Sequence, residues 1–140
     1  MEDRHLFKDL FKAKRKDNGE WVQGVPFEIE GKTVILISDN ENILRVHYLE
    51  ENMWEADIYA VEVDPTTICQ CTGYEGIYEK DIFQCDDERY VIEWCDYSLY
   101  WEAQAIGSPE SISLGEFGPD EIVVIGNAID NPELLESEVN

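Results

Sequence analysis

Short runs in which apolar and polar residues alternate, divided by turn-forming clusters, make up most of this chain, and sustained helical periodicity is scarce. Residues 11–16 alternate as Phe-Lys-Ala-Lys-Arg-Lys, and Asp17-Asn18-Gly19-Glu20 then supplies a turn in which Asn-Gly readily takes positive φ. The pattern predicts a hairpin of residues 10–16 with 21–29. Leu6, Phe7, Leu10 and Phe11 sit at helical spacing, so a short amphipathic helix over 3–14 competes, but the part next to the turn reads as strand. Glu30-Gly31-Lys32 is a second turn, and the β-branched run 33–38 completes a second hairpin. Asp39-Asn40-Glu41-Asn42 breaks the chain before a strand over 43–49, the acidic segment 50–57 reads as a surface loop or short helix, and 58–63 is a further strand stopped at Asp64-Pro65. Extended structure resumes over 67–71, and Gly73 and Gly76 bracket a tight bend.

From Asp81 onward the strands become short and evenly spaced. They fall at 81–85, 90–95, 99–105 and 121–125, with a turn at Asp86-Asp87-Glu88-Arg89, a break at Asp96 and a Gly/Pro/Ser loop before the last. This spacing predicts a strongly bent antiparallel sheet or an SH3-like small barrel. Asn131-Pro132-Glu133 has the marks of a helix start: a capping residue, Pro at the first helical position and a carboxylate in the first turn. The expected fold is therefore mainly β, with N-terminal hairpins packed with a C-terminal SH3-like barrel and a short C-terminal helix. One unit spans 1–140, and the glycine bend subdivides it into an N-terminal β region (1–73), the barrel (74–136) and a tail (137–140).

Composition narrows the class. Hydrophobic residues are 44% and charged residues 30% of 140, a globular balance within the size of one domain. The longest nearly apolar stretch, 34–37, is far shorter than the roughly 20 residues of a spanning helix, and the N-terminus has no apolar signal core, so a cytoplasmic address without membrane contact is expected.

Net charge is −22 and is unevenly spread: residues 1–16 hold six cations against three carboxylates, +3, which leaves −25 on residues 17–140. Such a surface repels a phosphate backbone, because duplex binding rests on Lys and Arg displacing counterions. Solubility is the plainest use of the acid; docking of a basic protein partner, or mimicry of DNA, are sharper ones.

Candidate chemistry adds little. Cys69, Cys71, Cys85 and Cys95 follow C-x-C and then gaps of 13 and 9 residues, unlike the paired knuckles of zinc sites. His5 and His47 have no nucleophile at a telling spacing, and carboxylates are too abundant for any pair to stand out. Asp86-Asp87-Glu88 lacks the alternating ligands and glycine of an EF-hand, and phosphate-binding glycine loops, G-x-S-x-G and H-E-x-x-H are missing. No catalytic, cofactor or metal residue is assigned. The one basic and aromatic cluster, Lys12, Lys14, Arg15, Lys16 and Trp21, is the candidate interaction site, with Lys12, Lys14 and Lys16 on one face by period two. Its alternatives are pairing with the chain's own acids and contact with nucleic acid.

Read in order, several stretches resemble the YopX family of phages and prophages: Lys14-Arg15-Lys16-Asp17-Asn18-Gly19-Glu20-Trp21-Val22-Gln23-Gly24; Val63-Asp64-Pro65 leading to Gln70-Cys71-Thr72-Gly73; Gly76-Ile77-Tyr78-Glu79-Lys80-Asp81-Ile82; and Val124-Ile125-Gly126-Asn127 through Asn131-Pro132-Glu133-Leu134-Leu135. Three departures stand out: Cys71 where the family usually has an aromatic, a shortened connection between Gly73 and Ile77, and Lys80 where it has glycine. The resemblance implies a mostly β fold with an SH3-type C-terminal half, a tendency to homo-oligomers and no established activity. The function expected is that of a non-enzymatic phage or prophage accessory protein that binds a basic host or phage protein. An acidic DNA-mimic inhibitor and nucleic-acid binding through the basic hairpin are the alternatives.

Overall fold

A computed structural model describes residues 10–38, 46–50, 53–56 and 58–136, with side chains placed for 10–37 and 60–136. The chain divides into two compact units, Met1–Cys71 and Thr72–Asn140. Each is built on its own five-stranded sheet.

In the first unit, β1 (Phe11–Lys14) pairs antiparallel with β2 (Trp21–Ile29) in the register Lys14↔Trp21 to Phe11↔Gly24. The predicted turn closes it: Gly19 takes φ +73°, and the Asn18 side chain accepts from the Glu20 amide at 2.9 Å. Glu30 (φ +51°) and Gly31 (φ +80°) join β2 to β3 (Lys32–Ser38), two consecutive left-handed residues that match the twist of a hairpin. β4 (Val46–Glu50) pairs with β5 (Met53–Ala56) in a separate ribbon. β5 falls where an acidic loop or short helix was expected; backbone pairing outweighs the weak bias of glutamate against strands. β6 (Ile58–Glu62) pairs with β3, and β7 (Cys69–Gln70) with β1, giving the order β6-β3-β2-β1-β7.

This sheet curls enough for its β6 end to touch β1 again. Arg15 and Val63 form a bridge, and the Asp64 amide donates to the Lys14 carbonyl at 2.9 Å. The curl needs a corner, and β2 provides it at Gly24, where it leaves β1 for β3. Ala13, Ile35 and Val63, all fully buried, form the core inside, with Val22, Ile37 and Ile68 against them. Asp64 then caps a 3-10 turn, Pro65–Thr67, accepting from the Thr66 amide (3.0 Å) and hydroxyl (2.8 Å). These bonds to its charged form hold the Asp64 carboxyl below the usual range.

The second unit is a meander of β8 (Asp81–Cys85), β9 (Glu88–Cys95), β10 (Tyr100–Ala105), β11 (Ser111–Ser113) and β12 (Val123–Asn127), in the order β11-β10-β9-β8-β12. β11 lies within the expected Gly/Pro/Ser loop. Two 3-10 turns, Leu114–Glu116 and Pro119–Glu121, lead to β12. The core lies on one face. Phe83, at 0% exposure, stacks on Tyr90 at 5.2 Å and meets Phe117 edge-on at 5.1 Å, with Ile92, Ala103 and Leu114 around them. Burying a side chain of this size is worth about 1.5–3 kcal/mol.

Two expectations are corrected here. β11 and β12 are the two edges of the sheet and do not pair with each other, so it is an open sheet rather than a closed barrel. The C-terminal helix is a single 3-10 turn, Pro132–Leu135. Asn131 makes no side-chain cap there; its Oδ1 instead accepts from the Asn127 amide at 3.1 Å, which ties the segment back to β12. Arg89 Nη1 donates to the Leu134 carbonyl at 3.4 Å, so the turn is fastened to β9 as well.

Candidate interaction surface

The basic and aromatic cluster splits in two. β1 places Lys12 and Lys14 on the face opposite Ala13, and the pairing Lys14↔Trp21 brings the indole beside them. Their ammonium nitrogens lie 4.5 Å and 5.5 Å from the Trp21 ring centroid, within cation–π range. Arg15 and Lys16, past the end of β1, turn to the chain's own carboxylates. Arg15 binds Asp17 through Nε (2.9 Å) and Nη2 (2.7 Å), and Lys16 Nζ lies 3.5 Å from Glu62. The Arg15–Asp17 hydrogen bonds raise the guanidinium pKa and lower the carboxyl. Lys12, Lys14 and Trp21 therefore meet on one surface, while Lys16, which period two places on the same face, has its ammonium against Glu62.

The cysteines are all free thiols. Cys69 is buried, with its sulfur 3.4 Å from the Thr67 carbonyl. Burial, and then Asp86 and Glu121, push the Cys85 thiol above its ordinary pKa, away from nucleophilic use at neutral pH. Among the described residues no group of three or more His, Cys, Asp or Glu is placed to hold a metal, and no helix is long and apolar enough to cross a membrane. His5 lies outside the described residues, as does the Asp39–Asn42 break.

A second surface lies on the second unit. The β9–β10 hairpin ends in Asp96-Tyr97-Ser98-Leu99, where Tyr97 is 98% and Leu99 71% exposed. Leu99 has φ +59°, a left-handed conformation unusual for a large apolar residue, and its amide donates to the Cys95 carbonyl at 2.7 Å to close the loop. Behind the tip Trp94 and Trp101, directly cross-strand, pack edge to face at 5.1 Å. Beside them opens a cleft of about 340 Å³ lined by Tyr74, Tyr100, Trp101, Ser113, Leu114 and Gly115, among others. The Tyr74 hydroxyl donates to the Phe117 carbonyl at 2.9 Å and fixes one wall. Such a surface offers apolar contact and aromatic faces, and nothing in it assembles a nucleophile with a base.

A family model described as YopX protein matches residues 10–136, from the first residue before β1 to the last 3-10 turn. The chain belongs to the YopX family. Comparison with curated proteins and with solved structures gives no match. In this YopX chain Lys80, which stands where the resemblance implies glycine, has φ +73°, a conformation glycine adopts without strain. The spacing alone assigns Trp94, Leu99, Tyr100 and Trp101 to the strands 90–95 and 99–105 and Tyr97 to the break between them, and does not mark the tip as a surface. The signal lay in Trp94, Tyr97, Leu99, Tyr100 and Trp101, five large apolar residues gathered about a turn where polar residues are the rule.

Proposed function

We propose that this YopX chain is a non-enzymatic, protein-binding accessory protein of a phage or prophage, and that it holds a basic partner through the aromatic tip of its second unit. The observation that carries the reading is the exposure of Tyr97 and Leu99, the two most exposed large hydrophobic residues among those described, together on a loop closed by its own hydrogen bond. Charge favours the partner's sign: Thr72–Asn140 carries seventeen Asp and Glu against Lys80 and Arg89 alone, a net −15. Steering by that field speeds encounter with a cationic surface. The order of the five strands, with 3-10 turns before the last, supports an SH3-like strand arrangement of this open sheet under the tip.

The test uses the full chain immobilised against bacterial lysate, beside a Tyr97→Ser/Leu99→Ser variant. The reading expects a protein retained by the wild type at low salt, released as salt rises, and missing from the variant. Equal retention by both chains would refute it.

A further inference from the structure

The cleft beside the tip has a shape and a charge that select among partners. Tyr74, Tyr100 and Trp101 give it aromatic walls, buried Leu114 lies among its lining, and Gly115 contributes no side chain. Two walls are fixed in advance, Tyr74 by its hydroxyl bond to Phe117 and Trp101 by its contact with Trp94. Tyr74 is followed in the chain by Glu75 and Gly115 by Glu116, while Glu102, next after Trp101 on β10, alternates to the other face of the strand. The unit that holds the cleft has only two cations of its own. Aromatic faces in a negative field attract a cation through the ring quadrupole, and a flat guanidinium also stacks on such faces as an ammonium does not.

We infer that the cleft receives an arginine side chain carried on an extended segment of the partner protein. The inference deepens the function proposed above and rests on it, naming the residue by which the partner is recognised. A volume of about 340 Å³ is at the lower end of ligand pockets, room for one long side chain and its neighbours rather than a folded element. Nucleic acid is the wrong charge for it. An acidic segment is repelled by the same field.

The probe is a ten-residue peptide of alternating arginine and glycine, with lysine and glutamate counterparts, titrated into the full chain at moderate salt. Binding is read from the Trp101 indole N–H resonance, identified with a Trp101→Phe variant. The expected result is saturable binding of the arginine peptide, binding at least several-fold weaker for the lysine peptide, and none for the glutamate peptide.

A Gly115→Lys variant then places a cation at the cleft. Gly115 is not left-handed, and a Cβ there would meet only the Ser113 hydroxyl at an ordinary 3.7 Å, so the fold accommodates it. Affinity for the arginine peptide should fall at least tenfold. Arginine and lysine peptides that bind alike without moving the Trp101 resonance, or a Gly115→Lys variant that binds as the wild type does, would overturn the inference in favour of diffuse attraction. The Tyr97→Ser/Leu99→Ser variant separates the two readings. If it keeps the peptide but loses the lysate partner, tip and cleft are both in use; if the peptide fails while the lysate partner is still lost, the cleft assignment alone falls.

Discussion

Replacing Gly24 with alanine should unfold the first unit at much lower temperature. A Cβ built on Gly24 would lie 2.2 Å from the Leu36 carbonyl oxygen and 2.7 Å from Cγ2 of the fully buried Ile35. Carbon contacts balance at roughly 3.5–4.0 Å, so one of the two strands would have to move by about an ångström. The main obstacle is backbone, and it sits beside the Val25↔Leu36 pair, where β2 has just changed partners. Overpacking of this kind costs about 1–3 kcal/mol, and a rigid obstacle argues for about 3. A domain of this length has roughly 4–10 kcal/mol to lose. At about 4–8 °C per kcal/mol for small domains, the midpoint should drop by about 12–24 °C in differential scanning calorimetry of the full chain. Truncating Leu36 to alanine in the same chain should not rescue it, because the clash is with the carbonyl and not the side chain. A drop of less than about 3 °C would show that β2 and β3 are not in such close approach, and the account of the corner would be wrong.

Four further outcomes follow from the packing and the charges. Phe83→Ala, which removes a fully buried ring from between Tyr90 and Phe117, should cost about 3–5 kcal/mol, measured by urea denaturation of the second unit. Lys80→Gly should raise stability by about 1 kcal/mol in the same assay by relieving a left-handed lysine. The Asp64 carboxyl is held low by its bonds to Thr66, so its contribution is present above the ordinary carboxylate pKa and is lost as pH falls through the lowered value. Wild type and Asp64→Ala should therefore differ in midpoint at pH 7 and converge in acid. Cys85, with its thiol pKa raised by burial, should react with iodoacetamide at neutral pH more slowly than free cysteine, followed by mass spectrometry of the digested chain.

Much of the fold was legible from local signals. Gly19 and Gly31 mark the first two hairpins because positive φ at a hairpin turn selects glycine, and both turns stand where expected. Asp81–Cys85 also reads directly as strand from its residues. The failures share a cause, which is tertiary pairing that no local pattern encodes. Ser111–Ser113 is a strand only because β10 offers it an edge, and Met53–Ala56 only because β4 does. Asn131 has the look of a helix cap, but its side chain is claimed by the Asn127 amide and one 3-10 turn results. The candidate site was half legible. Alternation placed Lys12 and Lys14 beside Trp21, while the departure of Lys16 toward Glu62 depended on β6 curling back to β1. The aromatic tip and its cleft needed the cross-strand register of Trp94 with Trp101, which sequence spacing does not supply.

The left-handed Leu99 has an evolutionary consequence. A glycine at that position would relax the loop and stabilise the hairpin by about 1–2 kcal/mol, a change selection for thermostability alone would readily find. Laboratory evolution of this chain for heat resistance should drift toward glycine there, whereas selection for the proposed binding should retain leucine. The balance between those two pressures at one codon would measure how much the proposed binding weighs against the stability of the hairpin.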